Sequence, residues 1–173
     1  MAGLHGVADH LSNRAKALLA TTAEAEADAY ARSAFNRYYY ATFLTVRELL
    51  VIINTKWEET PHANIPDVLE HGVLKLIKTT ASKQERDRIL SSSRRQSIVN
   101  QSINSTNEIS SILKAANHVR KAADYEPNQK IVFGPAGFEL VTYTVGEAGN
   151  WKSRVDREKG ILISIAKDLG LVS

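Results

Sequence analysis

The sequence predicts an all-α fold, an antiparallel helical bundle with a β-hairpin inserted before the last helix. Three observations carry this expectation. Glycine and proline number only 9 and 4 in 173 residues, so few positions break a helix. Phe35, Tyr39, Thr42/Phe43, Val46, Leu50 and Ile53 recur at the spacing of a core-facing helical stripe, in what reads as the longest helix. Residues 130–143 alone change character. There β-branched and aromatic residues flank Gly134-Pro135-Ala136-Gly137, which reads as strand, turn and strand.

Taken in order, Leu4, Val7, Leu11, Ala15 and Leu18/Leu19 predict a first amphipathic helix. Thr21 or Thr22 is the expected cap of the second, which runs from about Ala23 to Asn54 with Glu24, Glu26 and Asp28 favourably placed near its N-terminus. Residues 57–66, with Pro61 and Pro66, read as a loop. A third helix is expected from about Pro66 to Lys78, its proline tolerated in the first turn. Ser82 to Ile98 reads as a polar helix interrupted at Ser91-Ser92-Ser93, and Asn100 to Ser105 as a loop. Ser105 with Glu108 has the spacing of a capping box and predicts a helix from Thr106 to about Tyr125, ended by Pro127. After the hairpin, Thr144 is the expected cap of a final helix that carries Trp151, Val155, Leu162, Ile165 and Leu169. No repeat or linker stands out, so residues 1–173 read as one domain.

The composition narrows the chemistry. There is no cysteine, which excludes disulfides, thiol nucleophiles and cysteine-based zinc sites. The formal net charge of +3 permits a nucleic-acid partner without requiring one. The basic cluster Lys83, Arg86, Arg88, Arg94 and Arg95 is interrupted by Glu85 and Asp87 and reads as a solvated face. Charged and polar residues break the first twenty positions, and the longest aliphatic run, Leu49 to Ile53, is short. Both predict a cytoplasmic protein without a signal peptide or a membrane partner.

Two arginines sit where a charge needs a partner. On the helix expected after Ser105, a rotation of about 100° per residue puts Leu113, Ala116 and Ala123 within roughly 40° of Ile109. Arg120 falls at about 20° on the same scale, Asp124 at about 60° and His118 at about 180°. A guanidinium in an apolar face keeps its proton and must be paired or hydrated. It bridges to Asp124, caps carbonyls of a neighbouring helix, or binds an anion such as phosphate, whose oxygens fit its fork. Arg37, among Tyr38, Tyr39 and Tyr40, poses the same problem. His62 lies in the loop beside Pro61. No histidine or carboxylate pattern suggests a metal site, and no phosphate-binding glycine loop is present, so no cofactor is expected.

Asn36-Arg37-Tyr38-Tyr39-Tyr40-Ala41-Thr42-Phe43, followed by His62 and by Arg120-Lys121-Ala122-Ala123-Asp124-Tyr125-Glu126-Pro127, resembles the HEPN superfamily. More narrowly it resembles small bacterial members with an S-R-x-Y-Y-A-x-F helix and a late R-x-x-A-D-Y-x-P segment. The likeness covers roughly residues 23–127, and the hairpin looks like an addition. The resemblance implies a helical bundle, often a homodimer, with polar residues of the late helix facing a cleft. It also implies a metal-independent endoribonuclease of a toxin–antitoxin or anti-phage system, cleaving RNA by attack of the 2′-hydroxyl. Arg120 would stabilise the phosphorane, His62 would act as base or acid, and Asp124, Tyr125 and Arg37 would complete the catalytic set. The alternative is a non-catalytic module that binds a nucleotide or a partner, an antitoxin or a nucleotidyltransferase. The nuclease signature, arginine followed four to six residues later by histidine, is absent, because Asp124 and Tyr125 occupy that place.

Overall fold

A computed structural model describes residues 2–19 and 23–172. The elements run α1 (Ala2–Leu19), α2 (Glu24–Ile53), α3 (Ile65–Asp67), α4 (Lys75–Arg86), α5 (Ser92–Tyr125), β1 (Val132–Gly134), β2 (Gly137–Leu140), β3 (Tyr143–Thr144) and α6 (Val145–Asp168). The chain is thus mostly helical, with a small antiparallel sheet before the last helix, as the sequence predicts. The expected caps Thr21 and Thr22 lie outside the described residues. No described helix is long and apolar enough to cross a membrane.

Two compact units divide the chain. The first is Met1–Leu44 with Ile112–Ser153, and the second is Thr45–Ser111 with Arg154–Ser173. In the first, the apolar stripe of α2 buries Phe35, Tyr39 and Phe43. Phe138 of β2 meets Phe35 edge-on with ring centroids 5.5 Å apart. Leu140 and Trp151 are also buried there, so the sheet contributes to the core of its unit rather than decorating it. The strands pair in the order β1-β2-β3, Gly134 facing Gly137 across Pro135-Ala136 and Leu140 facing Tyr143 across Val141-Thr142. The expected second strand, Phe138 to Tyr143, is therefore folded back on itself. Val141 (φ 60°) and Thr142 (φ 105°) make that turn at positive φ, where a β-branched side chain is strained.

Thr144 caps α6 as expected. Its hydroxyl accepts from the Glu147 N–H at 3.1 Å, and its own N–H and O–H both donate to Glu147 Oε2 at 2.8 Å. The backbone N–H of Thr144, then its hydroxyl, hold the Glu147 carboxyl below its ordinary pKa. A depressed carboxylate stabilises above its unfolded pKa and loses that contribution as pH falls through the folded value. Thr144→Ala should therefore cost about 1 kcal/mol at neutral pH. The difference in Tm from wild type should narrow on acidification, as the hydroxyl's bond to the carboxylate is lost. It should not close, since the Glu147 N–H still needs its Thr144 cap. A difference independent of pH would contradict the carboxylate contact.

In the second unit, several expected boundaries move. The third helix does not stop near Lys78. Pro66 sits in its first turn, the chain continues as a π-helix over Val68–Leu74, and α4 extends to Arg86. The break falls at 87–91, where Arg88 takes a positive φ, instead of at Ser91-Ser92-Ser93. Ser91 Oγ accepts from the Arg94 N–H at 3.2 Å and marks the start of α5. The loop expected at 100–105 does not exist, nor does the cap at Ser105, because α5 runs unbroken through them. Ser102 and Thr106 donate back to the carbonyls of Ile98 and Ser102 at 2.8 and 2.9 Å, and buried Ser105 donates to Glu158 at 2.8 Å. These hydroxyls are satisfied within the helix or across to α6, so they neither cap nor break α5.

Gly72, inside the π-helix, lies under the Trp57 indole. A Cβ built there would stand 2.8 Å from the ring. Alanine normally favours a helix over glycine by about 1 kcal/mol, but displacing a packed ring costs about 1–3 kcal/mol. Gly72→Ala is expected to lower stability by about 1 kcal/mol net. A lower urea midpoint would confirm it, and a raised one would show that the indole yields freely.

Candidate functional site

The end of α5 meets the middle of α2 within the first unit, and helix periodicity decides which side chains face each other. On α2, Arg32, Asn36 and Tyr40 recur at four-residue steps and so share one face. On α5, Arg120 and Asp124 are likewise one turn apart. Arg120 is half-buried, as its place in the apolar stripe predicts, and Asp124 is its partner, with Nε 2.9 Å from Oδ2. The N–H of that nitrogen is poorly aimed at the carboxylate, so the contact is ionic more than a directed hydrogen bond. The other carboxylate oxygen, Oδ1, accepts from Asn36 Nδ2 at 2.7 Å. One carboxylate thus links both helices.

Three tyrosine rings surround the Arg120 guanidinium. Its carbon lies 5.3 Å from the ring centre of Tyr125, 5.9 Å from Tyr39 and 6.0 Å from Tyr40, within cation–π range. Nη2 donates to the hydroxyls of Tyr125 and Tyr40 at 3.4 and 3.5 Å, the long limit of such bonds. This end of the fork is held weakly. Burial opposes the charge of Arg120, but the Tyr40, Asp124 and Tyr125 oxygens outweigh it and raise the pKa. Burial pushes the Tyr39 phenol up to about 12 against the opposing pull of Arg120, so its ring is neutral at ordinary pH. Tyr125 is 68% exposed and forms the outer wall.

Arg32 was not singled out by the sequence, yet it fixes this geometry. Its Nε binds Asp28 at 2.6 Å. Nη1 donates to the carbonyls of Ala122 and Ala123 at 3.2 and 3.4 Å, and Nη2 donates to the carbonyl of Gln129. The Ala122 and Ala123 carbonyls lie in the last turn of α5, at its negative dipole end. Ala122 also accepts from the Glu126 N–H at 3.2 Å, while Ala123 stands four residues before Pro127, which has no N–H to give. The four-residue row from Asp28 through Arg32 to Asn36 was the available signal. Arg32, Ser33, Asn36, Arg37, Ala123 and Asp124 line an open cleft of about 280 Å³.

Of the five expected site residues, Arg37, Arg120, Asp124 and Tyr125 lie in this first unit. Arg37 is exposed, and the expectation that it sits among the aromatic rings fails. Buried Phe35, Tyr38 and Tyr39 occupy the opposite arc of α2. Arg37 stands about 160° from Phe35 at roughly 100° per residue, a neighbour of the rings in sequence only. His62 belongs to the second unit, where it opens the exposed 3₁₀ turn His62–Asn64. His118 is exposed, on the side of α5 away from the stripe, as predicted. His71 is exposed too, 3.6 Å from Asp67. Among the described residues no group of three or more histidine or acidic side chains is placed to hold a metal ion. No protein-family model matches the chain, and no curated protein or solved structure matches it.

Proposed function

We propose that this chain is a HEPN-type protein that acts on RNA as a metal-independent endoribonuclease, with Arg120 engaging the scissile phosphate. The supporting observation is the Arg120 guanidinium, held on one side by Asp124 and contacted on the other by two phenols at 3.4 and 3.5 Å. In this reading a phosphate oxygen replaces the long phenol contacts, since a guanidinium fork matches phosphate better than it matches a hydroxyl. The RNA 2′-hydroxyl attacks phosphorus while the bond to the 5′-oxygen breaks. The proton lost by the first oxygen is made up on the second, leaving a 2′,3′-cyclic phosphate and a 5′-hydroxyl. Arg120 stabilises the extra negative charge of the phosphorane, and Tyr125 and Arg37 orient the strand. A toxin–antitoxin or anti-phage setting, a homodimeric state and an antitoxin partner belong to the same proposal.

One observation favours a second reading, a module that binds a nucleotide or a nucleotidyltransferase without chemistry. Asp124 already answers the charge of Arg120 and is itself held by Asn36. Induced expression in a bacterial host separates the two. Growth arrest relieved by Arg120→Ala supports the nuclease. Harmless expression with a stoichiometric partner in the purified material supports the binding module.

A further inference from the structure

A second cleft, of about 390 Å³, lies elsewhere in the first unit. One wall is a polar stripe of α1, where residues 5, 9, 12, 13 and 16 share a helical face. The opposite wall is the start of α6. Asp9 Oδ1 accepts from the buried Tyr38 hydroxyl at 2.7 Å. Among the described residues, its Oδ2 makes an ion-pair contact with His5 Nε2 at 3.8 Å, beyond hydrogen-bond reach, so this oxygen can still take a donor. The His5 and Tyr38 rings meet edge-on beside it, with centroids 5.3 Å apart.

The cation in this cleft is not paired with that anion. The end of Lys16 rests against the hairpin, where a Cβ on Gly137 would come within 3.3 Å of Cε. Seven residues separate Asp9 from Lys16, about 10 Å along the helix axis. A ligand with only negative charge would face Asp9, and one with only positive charge would face Lys16. A molecule carrying both signs answers both groups.

The α6 wall supports occupancy by a ligand. Gly146 and Gly149 stand in the first turns of a long helix, where glycine is a poor helix former. Packing does not require them. A Cβ at Gly149 would meet the Tyr38 ring at 3.9 Å, and one at Gly146 would meet Thr144 Oγ1 at 3.9 Å, both ordinary contacts. Their effect is to leave backbone bare to the cleft, which permits close approach.

We propose that this cleft binds a small zwitterion, an amino acid or a short peptide, with its ammonium at Asp9 and its carboxylate at Lys16. The test is thermal shift and calorimetric titration of the full chain with the standard amino acids and a set of dipeptides, each beside its N-acetyl and C-amide forms. At least one zwitterion is expected to raise Tm saturably, and blocking either end should weaken it by about tenfold or more. Asp9→Asn and Lys16→Met should each weaken binding by a similar factor. Gly149→Ala should raise the ligand-free Tm while lowering affinity, a pair of opposite effects that a purely structural glycine does not give. A response to free amino acids alone or to dipeptides alone identifies the source. Binding by none of them, equal binding of the blocked forms, or affinity unchanged in both Lys16→Met and Gly149→Ala would overturn the proposal. The last two variants decide the matter even if Asp9→Asn fails to fold.

Discussion

Replacing Arg120 with alanine is expected to lower RNA cleavage by about 100-fold or more, the loss typical when a donor to a developing oxyanion is removed. Arg120→Lys should recover little, because an ammonium keeps the charge but not the planar fork or its stacking on Tyr125. Neither change should unfold the protein. The Arg120 and Asp124 side chains are 21% and 26% exposed, so breaking the pair should cost more than the about 1 kcal/mol of an exposed pair and less than the about 3–5 kcal/mol of a buried one. Circular dichroism and Tm separate loss of function from loss of fold. Cleavage at the wild-type rate by Arg120→Ala would remove this residue from the mechanism.

Truncating Phe138 to alanine should cost about 3–5 kcal/mol, the usual range for a buried phenylalanine. For a chain of this length that is on the order of 10 °C in Tm. Phe138 is 3% exposed and touches Phe35 of α2 and Phe133 of β1, with ring centroids 5.5 and 5.6 Å away. The prediction tests whether the sheet is an appendage, as its place outside the resemblance suggests, or part of the core. A loss under about 1 kcal/mol by thermal or chemical unfolding would mean that the sheet packs only superficially.

The parts of the fold legible in the sequence are those with local physical causes. The stripe of α2 follows from apolar residues at helical spacing, and the start of α6 from the reciprocal bonds of Thr144 and Glu147. The continuity of α5 was hidden, because Ser102, Ser105 and Thr106 look like loop and cap residues until Ile98 and Glu158 are known to be their partners. The break at 87–91 was hidden too, since Arg88 adopts a left-handed conformation with no glycine to announce it.

At the site, Arg120 and Asp124 were legible because helix geometry alone puts them one turn apart. Arg32 and Asn36 were harder, for their roles depend on carbonyls and a carboxylate some 90 positions away in sequence. Arg37 misled because adjacency to tyrosines in sequence is not adjacency around a helix.

The central claim is that the Arg120 cluster cleaves RNA without a metal. The most direct measurement is to map the 3′ ends of RNA incubated with purified protein in excess EDTA. The prediction is discrete 2′,3′-cyclic phosphate ends with the wild-type chain and none with Arg120→Ala. Intact RNA with wild-type protein, or identical ends with the variant, would contradict it.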